Sequence, residues 1–484
     1  MKTINYKQIT TWMASVVLCF LTSCSSFLDV DDDTKVSNDE IFSTIGGVAE
    51  ALNGTYYLMG DFSYYGCQMM VLPGIKGGNL NVNDLTNQSP FSFNYIPSYE
   101  FSHQVAGDDD YSSDIYASIY AVINAANNII NSINSVTDGT EKQKVQALAE
   151  AKAIRALAHF DLARLFAQPY GYTANAQHIG IAYLEKNLKY DEYALRGLLY
   201  DNYESIIWDL LYAESNLGTP LNSDNARNLK GYFSKAAAQA LLARIYLYKQ
   251  DWNKAIEYAN KVINSGAYIL LDQNEVPSYY ENNMETREDI FIMDNNGRNI
   301  AAPVSDRIGI KDNRTQIYLT PSEDIRQLFD QKDIRGSLFG IQMEKTLTKK
   351  WVEFAGDKDH YTPIIRLAEL YLIRAEASMN LPSPNEVQAR SDLDRIKQRA
   401  NPEALPTQLS GTLLKEDIFN ERRRELCFEG HLFFDIVRQG RNLNRVDCNA
   451  LRNVNMSYPS NLFILPIPKD AMNYNPYMIQ NPGY

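Results

Sequence analysis

Apolar residues recur at helical spacing over most of the chain beyond residue 40. Residues 40–59 predict an amphipathic helix. From Asp114, the run DIYASIYAVINAANNIINSIN puts Ile115, Ile119, Val122, Ala126, Ile129 and Ile133 on one stripe. A turn at TDGT follows. The segment VQALAEAKAIRALAHFDLARLFAQPYG then predicts a second long helix, stopped by Pro169 and Gly171. Its many alanines allow close approach of neighbouring helices. Residues 198–217 and 232–265 predict further helices, and TPIIRLAELYLIRAEASMN with 385–400 predicts another pair. About four helix pairs result, irregularly spaced, so the expected fold is mainly all-α.

Within SKAAAQALLARIYLYKQDWNKAIEYANKVINSGAY, Ala237, Ala240, Ala243, Tyr246, Trp252, Ala255 and Tyr258 fall at tetratricopeptide-like spacing. Such a helix hairpin cannot bury its apolar face alone and stacks on its neighbours. Two stretches break the pattern. Residues 60–112 are rich in Gly, Asn, Ser and Tyr, and residues 268–362 are irregular apart from strand-like runs such as DIFIM. The chain therefore reads as a tetratricopeptide-like helix-pair scaffold carrying a large, irregular, loop-rich ligand-binding lobe. Long insertions in a compact body are where a ligand is expected.

The first residues change the compartment. Lys2 and Lys7 precede an apolar run from Trp12 to Leu21, too short for a membrane span, and the segment ends Leu21-Thr22-Ser23-Cys24. That ending resembles a bacterial lipobox, which implies cleavage before Cys24 and its acylation. Residues 1–23 are the expected signal peptide and 24–484 a single mature domain. Asp29, Asp31, Asp32 and Asp33 follow as an acidic tether that does not match an EF-hand loop. The whole chain carries a formal charge of −13, and loss of the leader deepens it by two. A nucleic-acid groove is excluded on that balance.

Catalytic and metal motifs are absent from the sequence: no G-x-S-x-G, H-E-x-x-H, P-loop or G-x-G-x-x-G occurs. The five histidines are scattered, and Cys67, Cys427 and Cys448 follow no metal or redox spacing. No catalytic residue, metal or cofactor is expected.

The densest chemistry is NERRRELCFEGHLFFDIVRQG, from Asn420 to Gly440. Read as a helix over 413–429, with Thr412 as N-cap and Gly430 just past its end, it places Glu421, Arg422, Glu425 and Glu429 in the apolar sector with Leu414, Ile418 and Phe428. Asp417, Asn420, Arg423 and Arg424 fall outside. Arg366 shares a face with Leu370, Ile373 and Ala377, and Glu369 and Glu376 lie on a neighbouring stripe. Inward charges of both signs on two helices predict a structural charge network rather than a catalytic centre.

Three of these stretches also carry a resemblance. NERRRELCFEGHLFFDIVRQG, PIIRLAELYLIRAEA and LFILPIPKDAMNYNPYMIQNPGY, with the lipobox, SSFLDV, and Tyr116, Tyr120, Ile123 and Asn127, resemble the SusD/RagB family of outer-membrane nutrient-binding lipoproteins. Tyr116 departs from the family's frequent tryptophan. The resemblance spans Cys24 to Tyr484, with an N-terminal part at about 24–220 and a C-terminal part at about 268–484. It implies a surface-exposed, lipid-anchored outer-membrane protein that captures oligosaccharides, or in some members peptides. It also implies delivery to a SusC-like TonB-dependent transporter.

Sugar recognition needs aromatic faces and amide or charged groups. The first insertion offers Tyr64, Tyr65, Asn79, Asn81, Asn83, Asp84, Tyr95 and Tyr99. The second offers Tyr279, Tyr280, Asn295, Asn296 and Arg298. Residues 60–112 hold no tryptophan, which argues against a starch-type stacking platform. A glycan held by hydrogen bonds, or a peptide, fits better. A helical-repeat scaffold without a small ligand is the alternative of another class.

Overall fold

The computed structural model describes residues 41–83, 85, 95–104, 111–222, 229–282, 286–295, 304–353 and 361–484. Cys24, Asp84, Asn296 and Arg298 lie outside them.

The scaffold is a continuous array of helices. Helix α1 (Ile45–Met59) is followed by α2 (Gln68–Gly77), strand β1 (Leu80–Val82) and α3 (Ile96–Glu100). Then come α4 (Tyr111–Ser132), α5 (Glu141–Phe166), α6 (Leu199–Asn216), α7 (Lys235–Lys249) and α8 (Trp252–Ile263). Each of α4 to α8 packs on the next. The array continues from α8 onto α12 (Leu367–Met379), α13 (Glu386–Ala400) and α14 (Gly411–Glu425). All six residues of the apolar stripe are buried, five on α4 and Ile133 in the 3-10 turn that follows it. Thr140 opens α5 with a capping box to Gln143, and the α5 alanines at 147, 149, 151, 153, 156 and 158 are all buried. Gln250, in the left-handed region at φ 63°, turns α7 into α8, which Asp251 caps.

The looped lobe is more ordered than its composition predicts. Helix α2 lies inside the first irregular stretch, and all ten of its residues are buried. A helix buried on every side shows no polar face, so it carries no helical period to read. The second stretch supplies α9 (Glu275–Asn282), β2 (Asp289–Asp294), α10 (Val304–Ile308), β3 (Gly309–Lys311), β4 (Leu319–Pro321) and α11 (Glu323–Arg326). Strands β5 (Phe339–Gln342), β6 (Lys345–Glu353) and β7 (Tyr361–Arg366) follow. Strand β6 pairs parallel with β3 and antiparallel with β5.

Two boundaries differ from the periodicity. TPIIR belongs to β7, antiparallel to β2 with Phe291 opposite Ile365, and α12 starts only at Leu367. The β-branched Thr362, Ile364 and Ile365 suit a strand, and Pro363 disfavours a helix. Helix α14 runs from Gly411 to Glu425 rather than over 413–429. Its cap Leu426 leaves helical geometry (φ −100°, ψ 16°), and Phe428 and Gly430 beyond it adopt φ of 63° and 81°, so the helix does not resume before Gly430. Helix α15 (Leu432–Arg438) follows, then β8 (Leu443–Asn444), β9 (Asn455–Met456) and α16 (Lys469–Tyr474).

Gly430 is where the charged stretch meets the lobe. A Cβ there would lie 2.2 Å from the carbonyl oxygen of Met69 at the start of α2. Gly430→Ala should therefore cost about 1–3 kcal/mol, from left-handed strain and the clash. A denaturant midpoint measured beside wild type checks this, and an unchanged midpoint would disprove the close approach.

Candidate ligand-binding surface where the insertions meet

The charged stretch forms ion pairs beneath α14. Arg366, the last residue of β7, contacts Glu288 (2.6 Å), Glu425 (3.1 Å) and Glu429 (2.9 Å). Arg335 reaches Asp333, Glu421 and Glu425, Arg399 bridges Glu288 and Glu425, and Lys350 pairs with Glu429. Burial alone would raise the Glu425 carboxyl, but Arg399, Arg366 and Arg335 hold it well below the usual range. A second cluster joins Arg422 and Arg438 to Asp435 and Glu376. Glu369 takes a bidentate grip from Arg244. Glu421, Arg422 and Glu425 are 0%, 1% and 3% exposed, so no substrate reaches these carboxylates. Arg423 and Arg424, expected outside the apolar sector, are also drawn in, to Asp324 and Glu421.

Most residues chosen for a ligand prove to be internal supports. Tyr64 is fully buried and donates to Asp161 (2.7 Å), with its ring against Tyr65 at 4.6 Å. Asn79 accepts from Arg423 (2.8 Å), and Tyr95 packs on Tyr111. Tyr99 donates to Asn449 (2.5 Å), Tyr280 to Glu429 (3.0 Å) and Asn295 to Thr362 (3.2 Å). These seven side chains are buried, which corrects their expected role: a ring or amide enclosed by protein offers no face to a sugar. Tyr279 is half-buried and donates to Asp289 (2.8 Å).

The structure does bring the two insertions together. Strand β1 of the first pairs antiparallel with β4 of the second, Asn81 opposite Thr320. At the end of this ladder Asn83 donates to the Ile317 carbonyl (3.3 Å) and accepts from Thr320 (3.0 Å). Asn81 is held by Asp447 and Tyr99. Both amides are half-buried and fixed, yet each keeps unused donor or acceptor capacity. Beside them lies Tyr318, half-buried, its hydroxyl donating to the exposed Gln316 (3.0 Å). Its ring lies 5.9 Å from the Arg307 guanidinium. Sequence reading missed Tyr318. Its only signal is an aromatic within the polar run DNRTQIYLT, and only the strand register brings it beside Asn83. Preorganised amides around a half-exposed ring suit a polyol.

The SusD family profile matches residues 243–484, and a second profile, described as starch-binding associating with outer membrane, matches residues 26–247. The chain belongs to the SusD family. The two matched stretches meet inside α7. Among its SusD-like relatives is SusD-like protein P2 of Formosa agariphila, 26% identical over 97% of this chain and 98% of that protein. The starch-binding protein SusD of Bacteroides thetaiotaomicron is 31% identical over 140 residues, 28% of this chain and 24% of that protein. A crystal structure of a SusD superfamily protein from Bacteroides vulgatus superposes with a TM-score of 0.79 at 27% identity, covering 91% of this chain and 99% of the other. The helix-rich SusD fold is thus common to both.

Proposed function

We propose that this protein is a non-catalytic, surface-exposed lipoprotein of the outer membrane, anchored through acylated Cys24. It captures oligosaccharides at the β1–β4 junction and delivers them to a SusC-like TonB-dependent transporter. The observation that carries the binding site is the pairing of the two insertions around Asn81, Asn83 and Tyr318. Membership of the SusD family, and the starch-binding name of a relative, support a glycan as the ligand. The paired state of the buried carboxylates supports binding without hydrolysis.

The test is calorimetric titration of the chain from residue 25 on with a panel of neutral oligosaccharides and peptides. Tyr318→Ala should weaken glycan binding about five- to tenfold, and Asn83→Ala by a similar factor, with stability lowered by no more than about 1–3 kcal/mol so that both variants stay folded. Binding of peptides alone would replace the glycan reading. Glycan hydrolysis lost on one carboxylate substitution would overturn the non-catalytic one.

A further inference from the structure

A second cleft lies on the helical scaffold, away from the lobe. It has a volume of about 500 Å3 and opens where the start of α8, the end of α12, the first turns of α14 and the end of α15 converge. Small-molecule sites span about 300–1,000 Å3. Met379 and Ile418, both 1% exposed, give it apolar lining. Trp252, placed by its repeat spacing as a packing residue, is half-buried and lines the cleft. Among the described residues, neither its indole N–H nor the nearby Gln250 carboxamide has a hydrogen-bond partner.

The charges of the cleft are unequal. Glu376 is matched by Arg438 (2.5 and 2.7 Å) and Glu416 by Arg441 (2.8 and 2.9 Å). Lys415 is the surplus. Its ammonium donates to the neutral Asn380 Oδ1 (2.8 Å), and among the described residues it pairs with no carboxylate. An ammonium keeps two further donors in that position. In a chain of charge −13, this leaves an ammonium without a carboxylate partner in the same cleft as an indole.

We propose that this cleft is a second carbohydrate subsite, selective for an acidic sugar. The pyranose C–H face lies on Trp252, its hydroxyls meet Gln250, and its carboxylate pairs with Lys415, while the indole N–H, which lies in the ring plane, is left for a hydroxyl of the adjoining sugar. A half-open cleft of this size fits one or two sugar rings better than an extended peptide. The choice of a sugar as the carrier of the carboxylate rests on the proposed glycan function, whereas the anion preference rests on the cleft itself.

The probes are disaccharides capped by glucuronate, galacturonate or mannuronate, each beside its neutral counterpart. They are titrated into the chain from residue 25 on, with tryptophan fluorescence and calorimetry as readouts. At least one uronate should bind about tenfold or more tightly than its neutral counterpart and change the fluorescence. Trp252→Phe should remove the fluorescence change, and Lys415→Gln should remove the acid preference. Lys415 is exposed, so its variant keeps the fold, which an unchanged denaturant midpoint verifies. Tyr318→Ala should leave uronate binding unaffected. Equal or absent binding of every acidic and neutral pair would overturn the inference, as would a preference that survives Lys415→Gln. Loss of uronate binding while Tyr318-dependent glycan binding persists sinks this subsite alone.

Discussion

Arg366→Met should lower the stability of the protein by about 3–5 kcal/mol, the cost of removing one partner from a buried ion network. The reason is charge balance. Glu288, Asp333, Glu421, Glu425 and Glu429 face Arg335, Lys350, Arg366, Arg399 and Arg424 beneath α14. Deleting one guanidinium leaves one buried carboxylate without its share of positive charge, and methionine restores the volume without the charge. Glu288 would retain Arg399, Glu429 would retain Lys350, and Glu425 would retain Arg335 and Arg399. The strain would spread, so a second substitution should relieve it. Adding Glu429→Gln to Arg366→Met should cost clearly less than the two single changes together, since contacting charges do not act additively. Arg287, which pairs with Glu275 at the surface, is the control, and Arg287→Ala should leave the denaturant midpoint unchanged. A loss below about 1 kcal/mol for Arg366→Met, on the scale of exposed pairs, would show the network to be solvated instead.

This network also marks what the sequence discloses and what it withholds. A helical wheel places Glu421, Arg422 and Glu425 on the apolar side of α14, and the structure leaves each almost without exposure. Their partners are less accessible to sequence reasoning. Arg335, Lys350 and Arg399 come from a turn, a strand and another helix, and no periodicity ties them to α14. Helices α5 and α7, buried over most of their length, are legible from their long alanine-rich runs, and α4, α6 and α8 because each shows the solvent a polar face. Helix α2 shows none, so its apolar run gave no period. The aromatic-rich lobe misled for a related reason. Tyr64, Tyr65, Tyr95 and Tyr99 sit among glycines and amides, which reads as exposed loop, but their rings pack inward and two hydroxyls find Asp161 and Asn449. A tyrosine serves either side of a surface, and only the tertiary register decides which. For Tyr318 and Asn83 that register is the β1–β4 ladder, formed across more than 200 residues of chain.

Stability should fall as pH drops below neutrality, beginning well above the carboxylate range, and His159 should be a main cause. Its ring is fully buried, stacked on Tyr183 at 3.9 Å. As the neutral tautomer, Nδ1–H donates to the Arg155 carbonyl (3.0 Å) and Nε2 accepts from the Leu184 N–H (3.0 Å). A second proton on Nε2 would break the bond from Leu184 and place a buried charge near Arg155. Burial, then Arg155, push its pKa down to about 3. The unfolded chain binds that proton near pH 6.5. Between these values the unfolded state holds more protons, so stability rises with pH and is lost as pH falls through 6.5. His431, lowered to about 4 mainly by burial, adds in the same direction. Asp289 opposes them: burial raises it to about 6, so its contribution is full below about pH 3.9 and lost as pH rises through 6. Below about pH 4.3 the depressed carboxylates take over. Burial would raise Glu369, but Arg244 holds it at about 2, and its contribution disappears as pH falls toward that value. Guanidinium denaturation at pH 7, 6, 5 and 4 reads these slopes directly. His159→Gln, which does not titrate, should flatten the profile between pH 6 and 4 by about 1.4 kcal/mol per pH unit, the slope of a single proton. A slope equal to wild type would mean that the His159 ring takes up its proton in the folded state, and that the bond from Leu184 does not hold it neutral.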